Sequence, residues 1–243
     1  MCHRPDYNIV DEIIIVDQQH GIIHRINNNG AIFSDLKFSP DGRLLVSADC
    51  DGTVKLLDND VAGNYQQLQE WNVRQDIGER WRNLSIDISA CSKFIVVASS
   101  SYMSNRVILK SVENGETIRS LTLLPVILKC ITKVIFSADC RAVFVCGWCS
   151  PETNESSVIK LWFPYLDDAD ENNLTTLWEQ KNCGVEICVS HDKTMIAIQD
   201  THLNQGWLLS IDNTYNYTVQ KLYLEGSDVL VPVLLQFTSD DEC

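Results

Sequence analysis

Cys146-Gly147-Trp148-Cys149 has the spacing of a redox dithiol, and Cys140 lies six residues before it. Such a dithiol needs its first cysteine at a helix N-terminus, where the dipole lowers the thiol pKa. The residues around it read as a strand, in which cysteine behaves as a small core hydrophobe, so these thiols are expected to be inert. Zinc is not expected either. Cys130, Cys140, Cys146 and Cys149 lack paired ligand spacing, and His3, His20, His24, His191 and His202 are scattered. The run Asp167, Asp168, Asp170 and Glu171 offers oxygen ligands or a patch for a basic peptide. It lacks the glycine and the terminal glutamate spacing of a calcium hand, and reads as a solvated loop. No nucleophile elbow, phosphate loop, metal-binding histidine pair or Ser-His-Asp order occurs. The residue types therefore predict no catalytic group, no metal and no cofactor.

The elements that would position any such group are clearest over residues 33–58. Ser34 to Phe38 alternates, with Leu36 and Phe38 on one side, as a strand packed on one face does. Ser39-Pro40-Asp41-Gly42 is turn chemistry, Leu44 to Ser47 is a short apolar strand, and Asp51-Gly52 is a hairpin turn. Thr53 to Leu57 alternates again, with Val54 and Leu56 together.

The same signature recurs. Phe38-Ser39-Pro40-Asp41 returns as Ile88-Ser89-Ala90-Cys91, Phe136-Ser137-Ala138-Asp139, Val189-Ser190-His191-Asp192 and Phe237-Thr238-Ser239-Asp240, at spacings of 50, 48, 53 and 48 residues. Two further strand-like runs and an outer run follow each of the first four. They predict one domain over 1–243, with repeats at about 30–72, 80–124, 128–180 and 183–225 and a partial unit from 8–28 and 229–243.

Phe38, Ser39, Pro40, Asp41, Gly42, the LLVSADCDG second strand and the TVKLLD third strand closely resemble a WD40 repeat. The resemblance implies an all-β, WD40-type β-propeller of four full four-stranded blades plus partial blade strands at both termini. The unmatched end strands read as an imperfectly closed five-bladed ring, as a piece of a longer, seven-bladed protein, or as a ring completed by a partner's strands; the piece is favoured, because an open ring leaves strand edges unpaired. Of the family's polar set only Ser47 and Asp51 are present in the first full repeat, where Gly52 and Asp58 also belong to the motif, while Leu57 stands for the usual tryptophan and Asn29-Gly30 for Gly-His. The third repeat keeps Trp162 but has Phe163 where aspartate is usual.

A net charge of −14 and a pI near 4.6 argue against nucleic acid and against an anionic membrane surface. The apolar runs Ile13 to Val16 and Leu121 to Leu128 are too short to span a bilayer, and MCHRPDYN has no signal-peptide core. Ten cysteines without a secretion signal fit reduced thiols in the cytoplasm or nucleus. The resemblance implies a non-catalytic scaffold that binds other proteins or peptides, basic ones by charge. Tyr102, Arg106, Trp148, His202 and Trp207 lie in or beside the second-to-third-strand loops as anchors, with packing between blades the favoured reading for both tryptophans. Two alternatives stand beside it. One is a structural coat or scaffold subunit completed by partner strands. The other is a hydrolase-like propeller enzyme using the central channel, for which only Asp35 and Glu186 approach an inward position.

Overall fold

A strand covered on both faces by other sheets must be apolar on both, and the second strand of each repeat here meets that demand. Leu44–Asp49 is buried at every position, and Phe94–Ser100, Val143–Cys149 and Met195–Asp200 nearly so. The computed structural model describes residues 12–17, 21–27, 31–59, 65–73, 83–100, 105–124, 128–149, 156–165, 174–181, 185–200, 205–212 and 214–223. Among these there is no helix.

The chain begins with a two-stranded sheet, β1 (Glu12–Asp17) and β2 (Gly21–Asn27). Four four-stranded antiparallel sheets follow. The first holds β3 (Phe33–Phe38), β4 (Leu44–Asp49), β5 (Thr53–Asn59) and β6 (Tyr65–Asn72). The second holds β7 (Asn83–Ile88), β8 (Phe94–Ser100), β9 (Asn105–Ser111) and β10 (Thr117–Leu123). The third holds β11 (Cys130–Phe136), β12 (Val143–Cys149), β13 (Ser156–Trp162) and β14 (Leu174–Lys181). The fourth holds β15 (Val185–Val189), β16 (Met195–Asp200), β17 (Gln205–Ile211) and β18 (Tyr217–Tyr223). Each is a meander in sequence order, as hairpin connections require.

Strand periodicity sends successive side chains to opposite faces, and here each face meets a different neighbour. On β8, Ile95 and Val97 pack with Val46 and Leu56 of the first sheet, while Val96 and Ala98 pack with Val134 and Val143 of the third. On β12, Val143 and Val145 face the second sheet, and Phe144 and Cys146 face Ile196 and Leu209 of the fourth. Leu45 and Leu57 turn the other way, onto Ile15 and Ile26 of the two-stranded sheet. One buried layer thus lies between each pair of consecutive sheets, which is the stacking of propeller blades.

The inner strands are tied by polar groups. Asp35 Oδ2 accepts the Ile86 N–H at 2.9 Å, and Ser85 Oγ accepts the Val134 N–H at 3.2 Å. Asp87 Oδ2 accepts the Phe136 N–H at 2.8 Å, and Lys133 Nζ donates to the Ile187 carbonyl at 2.9 Å. Inner strands of adjacent blades do not form a ladder, so side chains satisfy the backbone groups a ladder would have used.

One packing expectation is corrected. Leu36 and Phe38, read as the buried side of their strand, are 39% and 52% exposed. They lie on the face turned away from the second sheet. The sheet on that side contributes only β1 and β2 among the described residues, so no inner strand stands against them. The partial strand at Pro232 to Phe237, with the signature copy at Phe237 to Asp240, lies outside the described residues.

Candidate active site

The four inner-to-second-strand turns share one construction. In each, a buried serine (Ser39, Ser89, Ser137 or Ser190) accepts at its Oγ the N–H of the residue five positions on, at 2.8–3.0 Å. The fourth turn residue is left-handed: Gly42 at φ 71°, Ser92 at 56°, Cys140 at 62° and Lys193 at 59°. In three turns the serine also donates to an aspartate two residues on: Asp41 at 2.5 Å, Asp139 at 2.7 Å and Asp192 at 2.7 Å. That carboxylate in turn accepts the N–H of Arg43, Arg141 or Thr194. The second turn has Cys91 in the aspartate position, with its Sγ 3.3 Å from Ser89 Oγ.

The third turn is elaborated into a cleft of about 380 Å3 against the fourth sheet, lined by Asp139, Arg141, Lys193, Asp212 and Tyr215, with Phe144 and Ile211 among its apolar walls. Tyr215 belongs to the β17–β18 hairpin, where it is left-handed at φ 61°. Phe163 meets its ring edge-to-face, centroids 4.9 Å apart. So held, Tyr215 donates its hydroxyl to Asp139 Oδ1 at 2.6 Å. Burial tends to raise the Asp139 carboxyl, but hydrogen bonds from Tyr215, Ser137 and the Arg141 N–H hold it below the ordinary value. Burial, then the hydrogen bond to Asp139, push the Tyr215 phenol up to about 12. At neutral pH the pair is thus a carboxylate and a neutral phenol.

Three donors converge on Asp139 Oδ1, whereas Oδ2 has the Arg141 guanidinium, 3.9 Å away. The Arg141 side chain extends into solvent, and Lys193 Nζ lies 2.8 Å from Asp87. The cleft can therefore offer a carboxylate oxygen, a phenol and the Arg141 guanidinium to a small anionic ligand, with Lys193 already paired to Asp87.

The sequence-predicted residues fall elsewhere. Ser47 and Leu57 are buried in the first sheet, and Arg43 grips Asp58 through both carboxylate oxygens at 2.8 and 2.9 Å. In the β4–β5 hairpin Gly52 is left-handed at φ 87°, but the capping carboxylate is Asp49, which accepts the Asp51 and Thr53 N–H groups; Asp51 itself is exposed. Trp162 is fully buried. Asp35 is spent on the Ile86 backbone, and Glu186 is exposed on β15.

Among the loop anchors, Trp207 is buried edge-on against Trp178, 5.3 Å between centroids, in the layer between third and fourth sheets. Trp148 is half-buried with Lys129 Nζ over its ring, and Arg106 donates to Ser120 Oγ at 3.3 Å. Tyr102, His202 and the acidic run Asp167 to Glu171 lie outside the described residues. Cys146 and Cys149 project to opposite faces of β12, Cys146 toward the fourth sheet and Cys149 toward the second. Burial pushes the Cys146 thiol up to about 12 and raises Cys149 too, the reverse of a redox dithiol. Sequence reasoning missed Arg141, Lys193, Asp212 and Tyr215. A usable signal existed: Lys193 and Tyr215 occupy left-handed turn positions where sister repeats have Gly42 and Gly115.

No known family's sequence profile matches the chain, and no curated protein matches it in sequence. Solved structures do match in fold. A protein of Bacteroides fragilis NCTC 9343 assigned as a 6-phosphogluconolactonase superposes with a TM-score of 0.59 at 12% identity, over 88% of this chain and 65% of that one. One of Bacteroides uniformis ATCC 8492 with the same assignment gives 0.60 at 11%, over 88% and 65%. Hydrazine synthase of Kuenenia stuttgartiensis gives 0.62 at 14%, over 84% and 60%. The chain spans 60–65% of the length of these structures. At such identity the likeness shows the propeller fold alone.

It nonetheless corrects two expectations, that the chain is a non-catalytic scaffold and that it is not an enzyme. Both were drawn from architecture, and the matching structures carry this architecture under the names of enzymes.

Proposed function

We propose that the chain is a propeller hydrolase that opens small anionic lactones or similarly reactive esters. The observation that carries this reading is the 2.6 Å hydrogen bond between Tyr215 and Asp139 in a cleft shared with Arg141 and Lys193. The fold likeness to proteins assigned as 6-phosphogluconolactonases supports the reaction class. In this reading Asp139 Oδ2 takes a proton from a water molecule, and the resulting hydroxide attacks the lactone carbonyl carbon. The ring C–O bond then breaks, and the departing alkoxide recovers the proton from Asp139, leaving a hydroxy acid. Tyr215 and Ser137 fix the carboxylate, and Arg141 receives the substrate's anionic group. A carboxylate held low is a modest base, which suits an acyl bond that opens with little help.

The test is hydrolysis of 6-phosphoglucono-δ-lactone and of unphosphorylated glucono-δ-lactone, each against its spontaneous rate. Asp139→Asn should lower kcat/KM about 100-fold, while Arg141→Ala should raise KM for the phosphorylated substrate alone. Wild-type rates no faster than spontaneous opening would overturn the proposal, as would full activity in Asp139→Asn.

The first sheet supports a WD40-type repeat in finer detail. The Phe38-Ser39-Pro40-Asp41-Gly42 turn has the left-handed glycine and the serine-aspartate bond that this sequence asks for.

A further inference from the structure

The second turn breaks the serine-aspartate rule, and the break has chemical content. In the sister turns, the position two residues after the serine is an anion's seat: a hydroxyl and a backbone N–H both point at it. Cys91 occupies that seat, with Ser89 Oγ 3.3 Å from its sulfur and the Lys93 N–H directed at it. A thiolate is the form of cysteine that such a seat accepts best. On the adjoining turn of the third sheet, Cys140 brings its thiol into hydrogen-bonding contact with Cys91, and the Cys91 and Ala90 N–H groups point back at Cys140. Cys91 is exposed and Cys140 half-buried, and both are free. Among the described residues this is a thiol pair at the surface between two blades, unlike Cys146 and Cys149.

We infer that Cys91 and Cys140 form a thiol–disulfide exchange site that reacts with low-molecular-weight disulfides, with Cys91 as the attacking thiol and Cys140 as the resolving one. The Cys91 thiolate attacks one sulfur of the small disulfide; that S–S bond breaks, a mixed disulfide forms, and one small thiol leaves. Cys140 then loses its proton to solvent and attacks the Cys91 sulfur, expelling the second small thiol. Two electrons pass from the two cysteines to the small disulfide, and a Cys91–Cys140 bond closes between the second and third sheets. The shift of Cys91 below its ordinary value agrees with its role: burial opposes the shift, and Ser89, the Lys93 N–H and Cys140 outweigh it. Cys140 is shifted upward, mainly by burial, as suits a thiol that waits. This reading does not rest on the hydrolase proposal.

The test equilibrates the full chain with mixtures of reduced and oxidised glutathione, quenches with acid, and maps the thiols by mass spectrometry. A linked Cys91–Cys140 peptide is expected, with two of the ten cysteines lost to alkylation and restored by reductant. Cys140→Ser should instead trap glutathione on Cys91. Cys140→Gly should do the same and suits the left-handed backbone there, guarding against a folding defect. The proposal is overturned if Cys91 links to another cysteine, if both thiols stay free while others react, or if neither Cys140 variant holds glutathione at Cys91.

Discussion

Lys193 Nζ sits 2.8 Å from Asp87 Oδ2, joining the turn of the fourth sheet to the inner strand of the second across 106 residues of chain. The same oxygen accepts the Phe136 N–H of the third sheet at 2.8 Å, so one carboxylate oxygen ties three blades. Both side chains are largely shielded, at 17% and 13% exposure. Asp87→Ala leaves an ammonium and an amide without their acceptor and should cost about 3 kcal/mol. Lys193→Met leaves the Phe136 bond in place and should cost roughly half of that. Urea denaturation of the two variants checks the ordering; equal losses would mean that the backbone bond contributes nothing.

The four equivalent turns offer a comparison within one chain. A left-handed backbone costs a side-chain-bearing residue roughly 1–2 kcal/mol, while glycine adds about 0.5–1 kcal/mol of unfolded-chain entropy. Ser92→Gly should therefore raise stability slightly, by about 0.5–1 kcal/mol. Gly42→Ala should lower it by about 1 kcal/mol, although a Cβ at Gly42 meets nothing within 4 Å. Lys193→Gly gains the same relief but forfeits Asp87, so it should be destabilising. Thermal unfolding of the three variants reads the signs directly.

Most of the blade architecture was legible because hairpins and tight turns are local. The strands expected at Ser34 to Phe38, Leu44 to Ser47 and Thr53 to Leu57 are β3, β4 and β5 to within two residues at each end. The Ser-x-Asp copies marked the first, third and fourth turns for the same reason. The cleft was not legible, because Asp139 and Tyr215 stand 76 residues apart and meet only once the third and fourth sheets are stacked. Phe38 shows the converse failure. Alternation tells that a residue has a face, and only the neighbouring sheet decides whether that face is covered.

Acid should weaken the fold through the turns. Asp41 and Asp192 are held below their ordinary values, the first chiefly by the Ser39 hydroxyl and the second by the Thr194 N–H; Asp139 is lowered by its partners against burial. A carboxyl whose folded pKa lies below its unfolded one stabilises the fold above the unfolded value, and that stability is lost as pH falls through the folded value. The urea midpoint should hold from pH 7 to about 5 and decline below about 4. Tyr215 works at the other end: its raised pKa stabilises the fold below the unfolded value near 10, and the contribution fades as pH rises toward about 12. Tyr215→Phe should flatten the alkaline limb, and Asp192→Asn should shrink the acid one. An acid limb unchanged in Asp192→Asn would remove that turn from the account.

Gly147 carries the last prediction, and it separates a structural reading of Cys-Gly-Trp-Cys from a chemical one. Gly147 pairs with Ile131 across the β11–β12 ladder, next to an irregularity in register between Ile131 and Lys133. A Cβ there would stand 2.8 Å from Leu128 Cδ2 and closer still to the Cys130 carbonyl oxygen. Leu128 is fully buried and its carbonyl takes the Asn105 side-chain amide, so neither neighbour yields without moving the β10–β11 connection. Overpacking costs about 1–3 kcal/mol where side chains can adjust, and more where backbone must. Gly147→Ala should therefore lose about 3 kcal/mol or more, whereas Cys149→Ser, half-buried two residues further along the same face, should cost about 1 kcal/mol. Denaturant midpoints for the two decide it. Near-wild-type stability in Gly147→Ala would show that the strand has room, and that the glycine is there for another reason.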